Sequence, residues 1–150
     1  MKKEKDPFTS MMRYCAEAEH CEKDVRAKLY KWMLPEEELD TIIEKLRQEN
    51  FINDERYASS FTNDHIKFNQ WGRVKIRHQL LEKDIPEHEI EKALTKIDED
   101  EYINMLKALL NTKAVEFADE PALERMNRLY RFAIGRGFEE EIVREIVKAR

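Results

Sequence analysis

The sequence predicts an all-α protein: three tandem three-helix repeats forming an elongated, curved helical array. Composition, periodicity and internal self-similarity carry that prediction. Only three glycines and four prolines occur in 150 residues, against 39% charged residues and many Glu, Lys, Leu, Arg and Ala. Those are helix formers, whereas sheets draw on Gly, Thr and Val at turns and strands. The 41% of residues that are apolar recur at helical spacing, which separates the chain from a disordered one of equal charge. A chain this long buries roughly 68–70% of its unfolded surface, enough for a core without metals or disulfides.

Self-similarity defines the repeats. A shift of 51 places sets Val25, Leu29, Leu34, Pro35, Leu39, Ile43 and Leu46 on Ile76, Leu80, Ile85, Pro86, Ile90, Leu94 and Ile97. It also sets Phe51-Ile52-Asn53 on Tyr102-Ile103-Asn104. A further shift of 53 lays Leu129, Phe138, Val143, Ile146 and Val147 on Ile76, Ile85, Ile90, Ala93 and Leu94. The resulting division is an N-terminal tail over 1–8, then repeats over 9–52, 53–103 and 104–150.

Within repeat one, helices are expected from about Thr9, from Cys21 to Met33, and from Pro35 to Glu49. Pro35 and Pro86 suit first helical turns, where a missing N–H costs nothing, and the glutamates after them suit the helix dipole. Repeat two opens at Asn53 as an N-cap, with Tyr57, Phe61 and Phe68 on one inward stripe. It turns at Asn69 to Gly72 and runs on to about Lys83. Repeat three has a helix from about Asp98 to Phe117. A second, capped by Asp119 with Pro121 close behind, ends at Gly135 and Gly137, and a last helix starts at Glu139.

Catalytic and metal signatures are missing from this pattern. His20, His65, His78 and His88 are scattered, and His20 with Cys15 and Cys21 fits no structural zinc spacing. There is no Gly-rich phosphate loop, GxSxG or HExxH. The expectation is a protein that is not an enzyme and needs no cofactor or metal. Cys15 and Cys21, six apart, read as reduced thiols of a cytoplasmic protein. The start carries no apolar run like that of a signal peptide, and no stretch approaches 18 apolar residues.

Charge is more informative. The net charge is −5, yet middle helices are basic and third helices acidic. Residues 64–83 hold Lys67, Arg73, Lys75, Arg77 and Lys83 against Asp64 and Glu82, and residues 121–138 hold Arg125, Arg128, Arg131 and Arg136 against Glu124. Residues 35–50 and 84–101 carry six and eight acids, with two bases each. Stacked in parallel, the middle helices would form a basic stripe; the plainer reading is alternation for solubility. Such a stripe suits a nucleoprotein or an acidic protein groove better than naked duplex. Trp32, Trp71 and Tyr130 lie near it and read equally well as core.

The run Phe51-Ile52-Asn53-Asp54-Glu55-Arg56-Tyr57-Ala58, followed by Phe61 and then Gly72-Arg73-Val74-Lys75-Ile76 with Leu80, Lys83 and Ile85, resembles the RecX family of bacterial recombination regulators. The resemblance extends over nearly the whole chain from about Met12. Asn53-Asp54 stands for the family's Asp-Asp, and Asp84 for a glycine at a helix end, where Asp tolerates the left-handed conformation. Cys21-Glu22-Lys23-Asp24 weakens the family's Ser-x-x-Glu cap.

The resemblance implies a monomeric regulator that binds RecA and its single-stranded DNA filament, inhibiting ATPase, strand exchange and SOS co-protease activity, with at most weak direct contact to DNA. Lys67, Arg73, Lys75, Arg77, Arg128 and Arg131 are the expected contact residues. Asn53, Asp54, Arg56, Tyr57 and Gly72 are expected to be structural, with Arg56 facing the acidic third helix of repeat one. Arg73 and Arg77, four apart, are expected to project together, away from the core. A helical-repeat adaptor for another protein and a direct single-stranded DNA binder are the alternatives.

Overall fold

The protein is described by a computed structural model covering residues 6–150; the first five positions of the expected tail lie outside the described residues. Nine α-helices and no strand occur among the described residues. They are α1 (Pro7–Glu17), α2 (Glu22–Leu29), α3 (Glu36–Gln48), α4 (Asp54–Asn69), α5 (Arg73–Glu82), α6 (Glu87–Thr95), α7 (Glu99–Ala114), α8 (Ala122–Gly135) and α9 (Glu140–Lys148). Short 3₁₀ turns at Tyr30–Trp32 and Val115–Phe117 extend α2 and α7. The first helix begins at Pro7, two residues before the expected start, because Asp6 caps it by accepting from the Thr9 amide at 3.0 Å.

Each trio of helices closes on its own core. Val25, Leu29, Leu39 and Ile43 are buried in the first. Ile76, Leu80, Ile90 and Leu94 take the same places in the second. Leu129, Ala133, Val143 and Val147 take them in the third. The backbone repeats too. Met33, Asp84 and Gly137, related by the same shifts, all adopt the left-handed conformation, with φ of 53°, 60° and 89°. Each terminates a second helix, and the amide one residue on, of Ile85 or Phe138, donates back to the Leu80 or Ala133 carbonyl at 3.1 and 3.2 Å. Among the described residues no hydrogen bond or ion pair links the first trio to the third, so the units run in series.

Four expectations are corrected. Pro35 and Pro86 stand one place outside their helices as the capping residues, with ψ of 147° and 142°. The Phe51-Ile52-Asn53 match to Tyr102-Ile103-Asn104 is not structural: Asn53 caps α4, whereas Asn104 lies inside α7. Helix α3 is four residues longer than α6, so the true counterpart of Asn53 is Asp98, whose carboxylate accepts from the Glu101 amide at 2.9 Å. Asp119 does not cap α8; Pro121 does so without a side-chain bond. Phe68 is not inward but 71% exposed. A 16-residue α4 runs for about 24 Å while the 9-residue α6 packed on it runs for about 14 Å, so Phe68 is left uncovered although Ile66 of the same turn still packs on the core.

The two joints between units use different chemistry. Between units two and three the contact is backbone to backbone. The Gly72 amide donates to the Arg136 carbonyl at 2.8 Å and the Val74 amide to the Gly137 carbonyl at 2.9 Å. Between units one and two the contact is largely ionic. Lys83 donates to the Asp24 carboxylate at 2.7 Å, and Lys23 donates to the Glu82 carbonyl at 2.8 Å. The α2 cap there is indeed weak, since buried Cys21 makes no side-chain capping bond.

A side chain at Gly72 would overlap the Gly137 carbonyl, and one at Gly137 would press on the Lys75 amide at 2.7 Å in a left-handed backbone. Gly72→Ala and Gly137→Ala should each lose about 2 kcal/mol or more in denaturant titration. Gly135→Ala, which meets nothing within 4 Å, should be neutral or stabilising by up to about 1 kcal/mol. Equal effects at all three positions would refute the close joint.

At the ionic joint, burial alone would push the Asp24 carboxyl up, but hydrogen bonds from Lys83 and Cys21 and the Lys83 charge hold it below the ordinary range. A carboxyl depressed by folding stabilises above its unfolded pKa, near about 3.9, and stops doing so as pH falls through the folded value. Lys83→Met should therefore cost about 1 kcal/mol at pH 7. The gap between variant and parent should close below about pH 4, read by urea titrations at several pH values.

Candidate functional site

Part of the basic stripe expected from the sequence is consumed inside the fold. Arg26 sits 2.9 Å from Asp40 and 3.1 Å from Glu22. Arg77 pairs with Glu91 on α6, and Arg128 meets Glu120 at 2.7 Å. Arg73 is a strut of the second joint and not an open contact. It pairs with Glu99, lies 3.4 Å from Glu139, and holds its guanidinium 4.0 Å from the centre of the Tyr102 ring. Its amide receives the Tyr102 hydroxyl as acceptor at 2.9 Å, while that hydroxyl donates to Glu139. Burial, with the Glu139 hydrogen bond, pushes the Tyr102 phenol far up, so it remains a donor at any neutral pH. Arg73 and Arg77 thus leave α5 toward different neighbours, and Arg73 cannot be removed without disturbing packing.

The residues expected to be structural are placed as follows. The Asn53 side chain accepts from the Arg56 amide at 2.9 Å. Asp54 is 3.4 Å from Arg47. Arg56 pairs with Glu19 in the α1–α2 connection and donates to the Asn50 and Phe51 carbonyls at 2.9 and 3.2 Å. It therefore fastens the α3–α4 connection through carbonyls beyond the end of α3 and does not face that helix's acids. Tyr57 is buried beside Cys21, where burial raises its phenol pKa. Cys15 and Cys21 enter different cores, and His20 stacks on Tyr14 at 3.6 Å, so these three form no metal cluster.

Among the described residues Lys28, Lys31 and Arg125 of the basic middle helices have no carboxylate partner and lie apart, while another such group stands near the joint of units two and three. Lys67, Lys75 and Arg131 have no carboxylate partner among the described residues, and Arg136, absent from the expected set, joins them. Arg136 donates to the Asn69 carbonyl at 2.7 Å and so ties α8 to the α4–α5 turn. Lys75, Arg131 and Arg136 line a groove of about 610 Å³ between that turn and the end of α8, whose walls include Phe68, Trp71 and Phe132 and no acid. Sequence reasoning counted Arg136 among the bases of residues 121–138 but left it out of the contact set, and it missed Phe68 because helical period alone placed it inward. The length mismatch of α4 and α6 was the signal that could have found Phe68.

Three serial three-helix units, locked by a glycine joint with a basic and aromatic groove beside it, define a tandem three-helix repeat protein. Comparison with known proteins makes the class specific. The model of the RecX second three-helix domain matches residues 53–94. A regulatory protein RecX of Clostridium botulinum (strain Alaska E43 / Type E3) is 34% identical over 132 residues, which are 85% of this chain and 60% of that relative. One of Chlorobium phaeobacteroides (strain BS1) is 29% identical over 142 residues, covering 95% and 91%. A crystal structure of regulatory protein RecX superposes with a TM-score of 0.86 at 27% identity, over 96% of this chain and 70% of that one. The chain belongs to the RecX family, and it spans about 60% of the length of the Clostridium botulinum relative. No helix among the described residues is long and apolar enough to cross a membrane.

The two kinds of arginine should separate in stability measurements. Arg73→Ala leaves Glu139 and the Tyr102 face without their partner and should cost about 2 kcal/mol. Arg131→Ala should stay within about 0.5 kcal/mol of the parent. Thermal melts of the two variants check this, and a neutral Arg73→Ala would remove the strut.

Proposed function

We propose that this protein is a regulator that binds RecA on single-stranded DNA and restrains its ATP hydrolysis, strand exchange and co-protease activity, acting through binding without chemistry of its own. Family membership supports the partner. The single observation carrying the location is the groove at the joint of units two and three, lined by Lys75, Arg131 and Arg136 and by no acid, whereas Arg77 and Arg128 of the expected set are paired with carboxylates. A nucleoprotein filament presents its acidic groups at a regular spacing, and a serial array of three-helix units, α1–α3, α4–α6 and α7–α9, can meet more than one of them. Several moderate contacts then multiply through effective concentration. The net charge of −5 disfavours indiscriminate adhesion to duplex, leaving a local patch to select its target.

The test is inhibition of the cognate RecA ATPase on single-stranded DNA at two salt concentrations. The parent should inhibit, less so at higher salt. Lys67→Ala with Arg131→Ala should weaken inhibition by about tenfold and flatten the salt dependence, with an unchanged melt. Arg128→Ala, already paired with Glu120, should change little. Undiminished inhibition by the double variant would move the contact to another face.

A further inference from the structure

We propose that the face formed by α7 and α9 in unit three is a self-association surface, on which a second copy of this chain docks in antiparallel register. This departs from the single-chain regulator that the resemblance implies, and it stands whether or not the RecA reading holds.

Helices α7 and α9 lie side by side and run the same way. Tyr102 near the start of α7 donates to Glu139 just before α9, and Arg150 just past α9 donates to Asn111 near the end of α7. Between the two helices is an open groove of about 620 Å³, floored by Ile103, Ile142 and Ile146, each only partly buried. Ile142 sets unit three apart. Shifts of 53 and then 51 places put Glu89 and Glu38 at its position, so units two and one keep a carboxylate where unit three carries an aliphatic side chain. Apolar area left open in this way favours association.

The charges on the rim select what covers it. Along each side of the groove the acid comes first and the base after, Glu99 before Lys107 on α7 and Glu145 before Arg150 on α9 and its end. Glu99 and Lys107 stand four residues either side of Ile103. A two-fold axis lying in the face and crossing the groove at Ile103 reverses its direction. Ile103 then meets Ile103, Glu99 faces Lys107 of the second copy, and Glu145 faces Arg150 of the second copy. An isologous interface requires such self-complementarity. A purely acidic or purely basic peptide would match only half of it. Among the described residues Lys107 and Glu145 form no ion pair, so the fold has not used them as it has Arg77 and Arg128.

Size sets the strength. The 16 residues of α7 and the width of two helices give a face of about 24 Å by 20 Å, or about 480 Å² in outline, less than the roughly 800 Å² per partner of a standard interface. The dimer is therefore weak and governed by concentration, and it carries two copies of the basic groove.

The experiment is sedimentation velocity of the full chain alone over about 1 to 300 µM, where a small transient interface fills. The average mass should rise from monomer toward dimer, less so at high salt. Glu145→Arg and Arg150→Glu, both at exposed positions, should keep the parental melt and each weaken association by about tenfold or more, because like charges then face each other across the axis. An equal mixture of the two variants should recover the parental association, since every pair across the axis regains opposite signs. A parent that stays monomeric throughout, parental association in Glu145→Arg, or a mixture no better than its components would overturn the surface. A monomeric parent whose inhibition of RecA is lost in Glu145→Arg would also overturn it and give the groove to another protein.

Discussion

The N-terminus of α5 is capped by the next unit and not by its own side chain. A helix start leaves its first amides without intrahelical partners, and such donors are costly when buried. Here the amides of Gly72, Arg73 and Val74 find the Arg136 carbonyl, the Tyr102 hydroxyl and the Gly137 carbonyl. Because the caps are backbone atoms of another unit, the two segments must approach closely, and both contact points are glycines. From that approach follow the burial of Tyr102, the strut of Arg73 and the walls of the basic groove. At the joint between units one and two, Cys21 stands where the 51-place shift puts Gly72, and side-chain ions take over the fastening.

Much of the charge on the second and third helices is engaged within the fold. Basic second helices lie beside acidic third helices, and pairs such as Arg26 with Asp40 and Arg77 with Glu91 tie them together within a unit. Surface pairs of this kind contribute little each, so their main effect is to remove those arginines from the set available to a partner. Lys75, Arg131 and Arg136 remain open at the α4–α5 turn and the end of α8, where no acid lines the groove. A basic count on a helix is therefore not a basic surface.

Legibility in the sequence followed the range of the determining interaction. The repeat register at Val25, Leu29, Leu39 and Ile43 was visible because each helix keeps its own apolar face at 3.6-residue spacing. The left-handed Asp84 was visible through turn chemistry confined to a few residues. The match of Asn53 to Asn104 misled because similar residues recur while α3 and α6 differ in length, which local pattern does not record. Phe68 misled for the same reason, since period gives direction but not whether a partner helix extends far enough to cover it. Arg73 and Arg77 share a helix face, and only the positions of Glu99, Glu139 and Glu91 from other helices separate their roles.

By itself the sequence determined the all-helical class, the three-fold repetition, the capping at Asn53 and the family, because these rest on composition, periodicity and residues near one another in the chain. The tertiary structure alone decided which cations are open, where Phe68 lies and how units two and three meet. Those outcomes depend on atoms 37 residues apart, as in Tyr102 with Glu139, or 67 apart, as in Asn69 with Arg136. Contacts across such separations arise only when whole helices have packed, and no local spacing encodes them.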